Sequence, residues 1–488
     1  MRRTVAVSFV ALACACSCGD GSIDAREAQI AGVMAAADEP IIRTRPKLAA
    51  GKYVKMARAP YDFFRGTVPL YRSDLRTGAT RYAASRFALD MPLVPSLGDP
   101  HPENFGVLRA ADGTATLEPN DFDAAEREPY LWDVRRLAAG MALATLLSNA
   151  DDPTARAAAI AAEVDVVSAA IAGYRDGIEA AANGAPPGRV VEGMGGPVAD
   201  DLFRRSERDR DGRELDELTV IDASGARRLR RGAIDDEDPQ SVHASLPPAA
   251  IAALPDAIER WRRSLIVQPP SADTSVLDAV RVFGGGVASW PRVRVLVLLR
   301  GPTTLPDDDV LVELKEIADP AIGGLVPPGL YADSLGERVV NAARASWSRL
   351  DGEPLWGFAT WLGLPCQIRR ESEGQKGVSV DRLAGEEGTP EALAMLGAVL
   401  GGIVARVHAP EATAIRAAIA KDRDGFVAEQ VQVGREYAAL ALEDHARFLR
   451  VLRRRDGLRL GIPFDPTDAP PPDLAAVFGA PPEVPALP

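Results

Sequence analysis

The stretch of chain between residues 98 and 137 constrains the fold and the chemistry of this protein more than any other. It contains Gly-Asp-Pro-His-Pro-Glu-Asn at 98–104, Asn-Asp-Phe-Asp at 120–123 and Trp-Asp-Val-Arg-Arg-Leu at 132–137. The residue pattern predicts a strand, a loop, a second strand and then a helix that enters the core. Each segment alone is typical of a turn or a helix cap. Three of them in this order favour a functional site over turns and caps.

The residue types in this stretch fit phosphoryl transfer. That reaction requires a carboxylate near the attacking hydroxyl, ligands for Mg²⁺ and cations on the phosphates. Asp99, on the first loop, is the predicted catalytic base. Asn104 and Asp121 are predicted Mg²⁺ ligands, because Mg²⁺ prefers a small number of hard oxygen donors. Asp123 is predicted to support Asp121 or to bind a second metal ion.

Two further residues are predicted to support the loop. Asp133, at the start of the helix, is expected to brace it through hydrogen bonds, as residues behind a metal site do. His101 is expected to hold the loop through backbone hydrogen bonds. Zinc binding or general-base chemistry at His101 would need partner residues, and the chain has four histidines in all.

These residues carry a resemblance to known enzymes. Residues 98–104 resemble the catalytic loop of aminoglycoside phosphotransferases and choline kinases, which reads Gly-Asp-x-His-x-x-Asn. Asp121 and Phe122 resemble the segment with their metal-binding Asp, and residues 132–134 resemble their aromatic-Asp segment. The resemblance implies a protein-kinase-like bilobal fold that uses ATP and Mg²⁺.

A longer resemblance covers most of the chain. Over about residues 50–455 the sequence is similar to the bacterial family called domain of unknown function 2252. The residues that carry this similarity are 60–66, 98–137, 284–286, 314–316 and 336–340. The activity of that family is unassigned, so the similarity implies no substrate.

A second set of residues with phosphate-binding chemistry follows in the second half of the chain. Gly284, Gly285 and Gly286 precede a strongly apolar strand, and Lys315 ends the next one. We expect the glycines to cover a nucleotide, and Lys315 to bind its phosphates while pairing with Glu337 on the following helix. Taken singly, the glycines are equally typical of a flexible turn and the lysine of a surface charge.

The order of the two sets predicts the architecture. In an ordinary kinase the glycine loop and the lysine precede the catalytic loop, whereas here they follow it. We therefore expect a circularly permuted, protein-kinase-like bilobal fold of the α+β class, with a helical C-lobe and a small antiparallel-sheet nucleotide lobe. Pro291 weakens this interpretation, because proline cannot donate to a sheet ladder.

The chain divides into a kinase-like domain at 51–455 and flanking segments. The predicted parts are a leader at 1–18, a flexible linker at 19–50, a catalytic-loop half at 51–185, an insertion at 186–270, a nucleotide-lobe half at 271–385, C-terminal helices at 386–455 and a proline-rich tail at 456–488.

The first residues predict export. Arg2 and Arg3 precede a short apolar run, and Cys14, Cys16 and Cys18 follow it at alternate positions. This is typical of a bacterial signal sequence with lipidation at Cys18 or Cys14, which predicts a lipid-anchored protein of the bacterial envelope. The alternative is a cytoplasmic protein with a misassigned start codon, since the Leu preferred three residues before the lipidated cysteine is absent at both positions.

The charge of the chain limits its partners. A net charge of −13 argues against a broad nucleic-acid-binding surface. The expected partners are a nucleotide and an unknown acceptor, and membrane contact is expected only through an N-terminal lipid. The sequence leaves the acceptor and the oligomeric state open.

Three functions are compatible with the sequence. The first is an ATP- and Mg²⁺-dependent phosphotransferase acting on a hydroxyl group, and transfer of a nucleotidyl group by the same residues is allowed. The second is an exported, catalytically inert kinase-like protein that serves as a binding or scaffold module, because ATP is scarce outside the cytoplasm. The third is a metal-dependent hydrolase built on Asp99, Asp121 and Asp123.

Overall fold

The computed structural model describes most of the chain between residues 24 and 454. The described residues are 24–76, 80–90, 92–209, 213–235, 238, 240–268, 275–303, 305–319, 334–371, 375–454, 458, 481, 482, 484 and 487. The predicted leader, with Cys14 and Cys18, and most of the predicted proline-rich tail lie outside them.

The helices of the described chain are α1 (Ala25–Thr44), α2 (Pro46–Arg58), α3 (Pro60–Gly66), α4 (Val68–Arg76), α5 (Tyr130–Leu147), α6 (Pro153–Ala161), α7 (Glu163–Ala182), α8 (Gly196–Arg208), α9 (Arg213–Leu218), α10 (Pro248–Ala252), α11 (Leu254–Ser264), α12 (Leu335–Ser346), α13 (Pro390–Val407), α14 (Ala412–Ile419) and α15 (Arg423–Arg453). The strands are β1 (Val94–Ser96), β2 (Phe105–Arg109), β3 (Ala115–Pro119), β4 (Glu126–Glu128), β5 (Thr219–Ile221), β6 (Arg227–Leu229), β7 (Gly232–Ala233), β8 (Val242–Ser245), β9 (Val276–Phe283), β10 (Arg294–Leu299), β11 (Val310–Glu316), β12 (Gly357–Trp361), β13 (Leu364–Arg370) and β14 (Lys376–Gly377). These helices and antiparallel strands confirm the predicted α+β class.

One sheet carries the second set of predicted residues. Within the described chain it has seven strands in the order β12-β13-β11-β10-β9-β8-β7, all antiparallel. Its central strands are apolar and buried because helices and loops cover both faces, as in the run from Val295 to Leu299. Pro291 lies in the loop between β9 and β10 and therefore removes no bond from the ladder.

Two smaller sheets carry the acidic stretch. Strands β14, β2 and β3 form one of them, and β1 pairs with β4 in the other. The β1–β4 pair brings Gly98 against the backbone of Ala124. Gly98 has φ +75°, and a Cβ there would overlap the Ala124 carbonyl, so only glycine fits. The loop that follows β1 is thereby held close to the loop that follows β3.

A helical body supports these small sheets. Helix α5 packs against α7 and α15, and α13 packs along α7. Asp152 caps α6 by accepting from the backbone N–H groups of Thr154 and Ala155. Asp152 as N-cap and Pro153 at the first position predict one long helix that runs toward Gly184. The structure has two helices here, α6 and α7, with a bend of 52° between them.

Helix α13 is apolar along its whole length. Its length and composition would allow it to cross a membrane, and the bent pair α6–α7 passes the same test when taken as one segment. A buried core helix has the same properties. In the described chain α13 packs along α7, with residues such as Leu400 fully buried.

The N-terminal segment differs from the expected flexible linker. Residues 25–44 form α1, and Ile30 and Met34 are fully buried against Tyr53 and Phe448. The segment is rich in alanine, which has the highest helix propensity, and its apolar residues recur at helical spacing. Because they pack on α2 and α15, this part of the chain belongs to the folded body.

The segment expected to be an insertion also contributes to the core. Strand β8 extends the seven-stranded sheet by pairing with β9, and α11 packs against β12 through the buried Trp261. The charged run at 204–217, which together with glycine and proline residues favours an insertion, lies largely on α8 and α9.

Candidate active site

The two sets of predicted residues meet at one cavity of about 200 Å³. Asp99, Asn104, Asp121 and Asp123 line it from the first set, and Gly286 lines it from the second. The opposite wall comes from helices α1 to α4, and no pattern in their sequence predicts a place in the site.

Asp99 is held by charged and polar neighbours. Its Oδ1 accepts a hydrogen bond of 2.6 Å from Nε of the buried Arg136. Its Oδ2 lies 3.5 Å from Nε2 of His101. Burial raises the pKa of Asp99 although the Arg136 guanidinium opposes this rise. The geometry orients the carboxylate, and the raised pKa strengthens it as a base.

Asn104 is oriented by the backbone of the same loop. It ends a short 3₁₀ turn, and its Nδ2 donates to the Asp99 carbonyl at 2.8 Å. Because the amide nitrogen is engaged, the Oδ1 atom is the one left for a ligand in the cavity.

Asp121 and Asp123 form a tight acidic turn. The backbone N–H of Asp123 donates to Oδ1 of Asp121 at 3.0 Å. Burial disfavours the charged form of Asp121, but Lys315, the Asp123 N–H, Arg369 and Arg294 together outweigh it and lower its pKa. Lys315 Nζ lies 2.6 Å from Oδ2 of Asp123. Oδ1 of Asp123 is buried and has no hydrogen-bond partner among the described residues.

Asp133 anchors the start of the loop that follows β1. Its carboxylate accepts from the backbone N–H groups of Leu97 and Gly98 and from the hydroxyl of Ser96, at 2.7–2.9 Å. Behind it, Nε2 of the fully buried His408 lies 3.2 Å away. His408 directly follows α13 and is far from the loop in sequence, so no local pattern predicts this contact.

His101 holds the loop through its backbone, as expected from the sequence. Its backbone N–H donates to the Asp99 carbonyl, and its carbonyl accepts from the Asn104 N–H. The ring instead packs against Tyr61 and Phe64, and its Nδ1 has no partner among the described residues. Burial, together with Arg65 and Arg136, lowers the pKa of His101 well below its usual value, so the ring is neutral.

The glycine loop has the conformation that glycine permits. Gly284 and Gly286 have φ of +93° and +70°. Lys55 of α2 donates to the Gly284 carbonyl at 2.6 Å. Gly285 packs beside the Arg294 side chain, where a Cβ would lie 3.2 Å from Cδ. In the described chain the N–H groups of residues 285–289 have no protein acceptor. Consecutive free N–H groups at a turn are typical of anion-binding backbone.

Glu337 is not brought to Lys315. Among the described residues the ion-pair partner of Lys315 is Asp123, and Glu337 lies on α12 half-buried and outside the cavity lining. Its neighbour Arg338 is the residue that reaches the site. Arg338 is 2% exposed and donates to the carbonyls of Asp123 and Ala125. The sequence signal for Arg338 is its position as a cation on the buried face of an amphipathic helix.

The residues of the cavity fit a magnesium ion. Asn104, Asp121 and Asp123 offer oxygen atoms, and the unpartnered Oδ1 of Asp123 lacks the contact that a cation would supply. Mg²⁺ takes one or two carboxylates and keeps several waters. In the described part of the chain no group of three or more His, Cys, Asp or Glu residues could hold a metal on its own. Mg²⁺ binding at this site therefore stays a prediction.

The fold and the cavity define a mixed α+β protein with a loop-built polar site between its antiparallel sheets. The chain matches, over residues 43–451, the family described as "Uncharacterized protein conserved in bacteria (DUF2252)", and it belongs to that family. This confirms the longer of the two resemblances. No curated protein and no solved structure matches the chain. The resemblance to aminoglycoside phosphotransferases and choline kinases stays a prediction based on residues 98–134.

Proposed function

We propose that the protein is an ATP- and Mg²⁺-dependent phosphotransferase that acts on a hydroxyl group. The observation that carries the proposal is the single cavity where residues from both halves of the family region meet. Asp99, Asn104 and Asp121 line it beside Gly286, and Lys315 contacts Asp123 at its edge. A catalytic base, metal ligands and phosphate-binding groups are the parts that phosphoryl transfer requires.

The order of elements in the large sheet supports the proposal. A glycine loop joins β9 to β10, Lys315 lies on β11, and α12 follows. Kinases use the same order of glycine loop, lysine-bearing strand and helix, but place it before the catalytic loop. Here the catalytic-loop elements come first, so we propose a circular permutation of that architecture.

The chemistry that we propose is proton transfer to Asp99. As the acceptor hydroxyl oxygen attacks the γ-phosphorus, its proton moves to Asp99 and the bond to the bridging β–γ oxygen breaks, which releases ADP. Bound Mg²⁺ supplies charge neutralisation on the phosphates. Asn104, Asp121 and Asp123 would hold the ion, and the free N–H groups of residues 285–289 would bind phosphate oxygens.

The size of the cavity limits what it encloses. Its volume of about 200 Å³ lies below the range of about 300–1,000 Å³ typical of sites for drug-sized ligands. We infer that it holds the phosphate end of the nucleotide and the reacting group of the acceptor, with the rest of both molecules outside.

A thermal-shift titration with ATP and Mg²⁺ tests the proposal. We expect ATP with Mg²⁺ to raise the Tm of the full chain, because a ligand that binds the folded state stabilises it. Asp121→Ala is expected to lose this shift, and Arg263→Gln, at an exposed position on α11, is the control. Absence of any shift with millimolar ATP would favour the inert scaffold. A shift with metal alone would favour the hydrolase.

A further inference from the structure

We propose that Arg292 is an anion-binding residue that receives a phosphate group in the cavity. The residue lines the cavity beside residues 286–289. Only the assignment of the phosphate to a nucleotide rests on the proposed function. The anion site itself depends on the charge and geometry around Arg292.

The other cations of the cavity wall are already neutralised within the described chain. Each of them has an acidic partner within 2.7 Å, as the pairs Lys52–Asp38, Arg65–Glu103, Arg72–Glu128 and Arg294–Glu313 show. The nearest acidic atom to Arg292 is Oε1 of Glu316, at 4.0 Å. Glu316 is itself engaged by Arg45 at 2.6 Å and 3.1 Å. Arg292 is therefore the wall cation whose charge is least compensated.

The backbone of Arg292 is fixed, while its guanidinium makes no hydrogen bond to another described residue. Its N–H donates to the Ser289 carbonyl at 2.9 Å, and its carbonyl accepts from Arg281 at 3.1 Å. Arg45 also donates to the carbonyl of the preceding Pro291 at 3.2 Å. In the described chain the guanidinium donates no hydrogen bond to protein. The fold thus holds the residue in place and leaves its fork of N–H donors for a ligand.

The electrostatic setting favours an oxyanion. The side chain of Arg292 is 19% exposed, and a charge that is largely removed from water without a close counter-ion is costly. Burial lowers the pKa of Arg292, and Glu316 opposes this only in part. Arginine binds phosphate with two parallel hydrogen bonds, and the free N–H groups of residues 286–289 lie on the same wall. The poorly compensated charge of Arg292 and the free N–H groups of residues 286–289 therefore both indicate an oxyanion ligand.

Calorimetric titration with pyrophosphate in the absence of Mg²⁺ tests this site on the full chain. We expect the unmodified protein to bind pyrophosphate and Arg292→Gln to bind it about ten-fold or more weakly, since a charge-assisted hydrogen bond is lost. Arg292→Lys is expected to be intermediate, because an ammonium group keeps the charge but not the fork. Arg263→Gln, which removes an exposed arginine of α11, is the matched control and should leave the affinity unchanged.

ADP, titrated in the same way, identifies the source of the phosphate. If Arg292→Gln weakens the binding of ADP as well, the phosphate is that of the nucleotide. If it weakens pyrophosphate alone, the site takes a phosphate-bearing acceptor. Both results support an anion site at Arg292.

Other results of these titrations would exclude an anion site at Arg292. Equal pyrophosphate affinity in the unmodified protein and Arg292→Gln, or no binding to the unmodified protein, would exclude the site. If Arg292→Gln does not fold, as judged by circular dichroism, Arg292→Lys decides, and an unchanged affinity in that variant excludes the site. The proposed function fails separately: pyrophosphate binding through Arg292 without phosphoryl transfer from ATP retains the anion site and rejects the kinase activity.

Discussion

Lys315 Nζ lies 2.6 Å from Oδ2 of Asp123, and this contact joins the large antiparallel sheet to the acidic turn after β3. The two residues come from opposite halves of the family region. The lysine is 5% exposed and the aspartate 31%. The pair therefore links the element that we propose to bind phosphates to the turn that we propose to bind Mg²⁺.

Removing the lysine should lower the stability of the protein. Lys315→Met leaves the Asp123 charge without its partner, and we expect a loss of about 1–3 kcal/mol in the free energy of unfolding, less than for a fully buried pair. The double variant with Asp123→Asn should recover part of this loss, which a double-mutant cycle in urea measures. Lys421→Met, at an exposed site, is the control. Additive losses in the cycle would show that the pair contributes nothing.

Arg338 and Glu337 are neighbours on α12, and we expect them to contribute differently to the free energy of unfolding. Arg338→Met removes the donors to the carbonyls of Asp123 and Ala125, and we expect a loss of about 3 kcal/mol, because buried acceptors are left unpaired. Glu337→Gln should change the free energy of unfolding by less than about 0.5 kcal/mol. Urea denaturation gives both values. A similar loss in the two variants would contradict the structural assignment and favour a pairing role for Glu337.

Helix α2 holds the glycine loop through a close approach at Gly51. A Cβ at Gly51 would lie 2.5 Å from the ring of Trp290, so Gly51→Ala should destabilise the protein by about 1–3 kcal/mol through overpacking. The matched variant is Gly32→Ala in α1, where a Cβ meets nothing within 4 Å and should stabilise the helix by about 0.5–1 kcal/mol. Thermal unfolding distinguishes them. If Gly51→Ala stabilises like Gly32→Ala, α2 does not hold the loop.

The neutral ring of His101 predicts a loss of stability in acid. Burial lowers the pKa of His101 well below 6.5, so below about pH 6.5 the unfolded chain takes up a proton that the folded chain does not. Stability contributed by the neutral ring is therefore present at neutral pH and is lost as the pH falls. His101→Gln should make the fall in unfolding free energy between about pH 6.5 and 5 shallower. His445→Gln, at a less buried ring whose pKa is also lowered, should have a smaller effect; an equal effect would contradict the prediction.

Much of the local structure was predictable from the sequence. Apolar spacing predicts amphipathic helices at about 390–409 and 424–454, where α13 and α15 lie. Apolar runs predict strands at 293–299 and 310–315, where β10 and β11 lie. The reason is that apolar periodicity and cap residues act within a few positions of the chain. A small, polar, alanine-rich segment is typical of a flexible linker as well as of a helix, so composition alone did not distinguish the expected linker from α1.

The acidic residues of the candidate site were predictable for the same reason. Asp99, Asn104 and Asp121 lie on turns next to short strands, where the sequence pattern already indicated loops. The contribution of α1 to α4 to the cavity wall was not predictable, because no local pattern in residues 25–76 refers to a cavity formed by residues far away in the chain.

By itself the sequence determined the α+β class, the family and the carboxylate- and glycine-bearing loops, since these depend on turn chemistry and apolar spacing over short distances. The tertiary structure alone decided the partners of the charges. It paired Lys315 with Asp123 rather than Glu337, directed Arg338 to the acidic turn and left Arg292 without a close counter-ion. The physical reason is that ion pairing in a low-dielectric interior depends on how distant elements pack, and residue types along the chain carry no record of that packing.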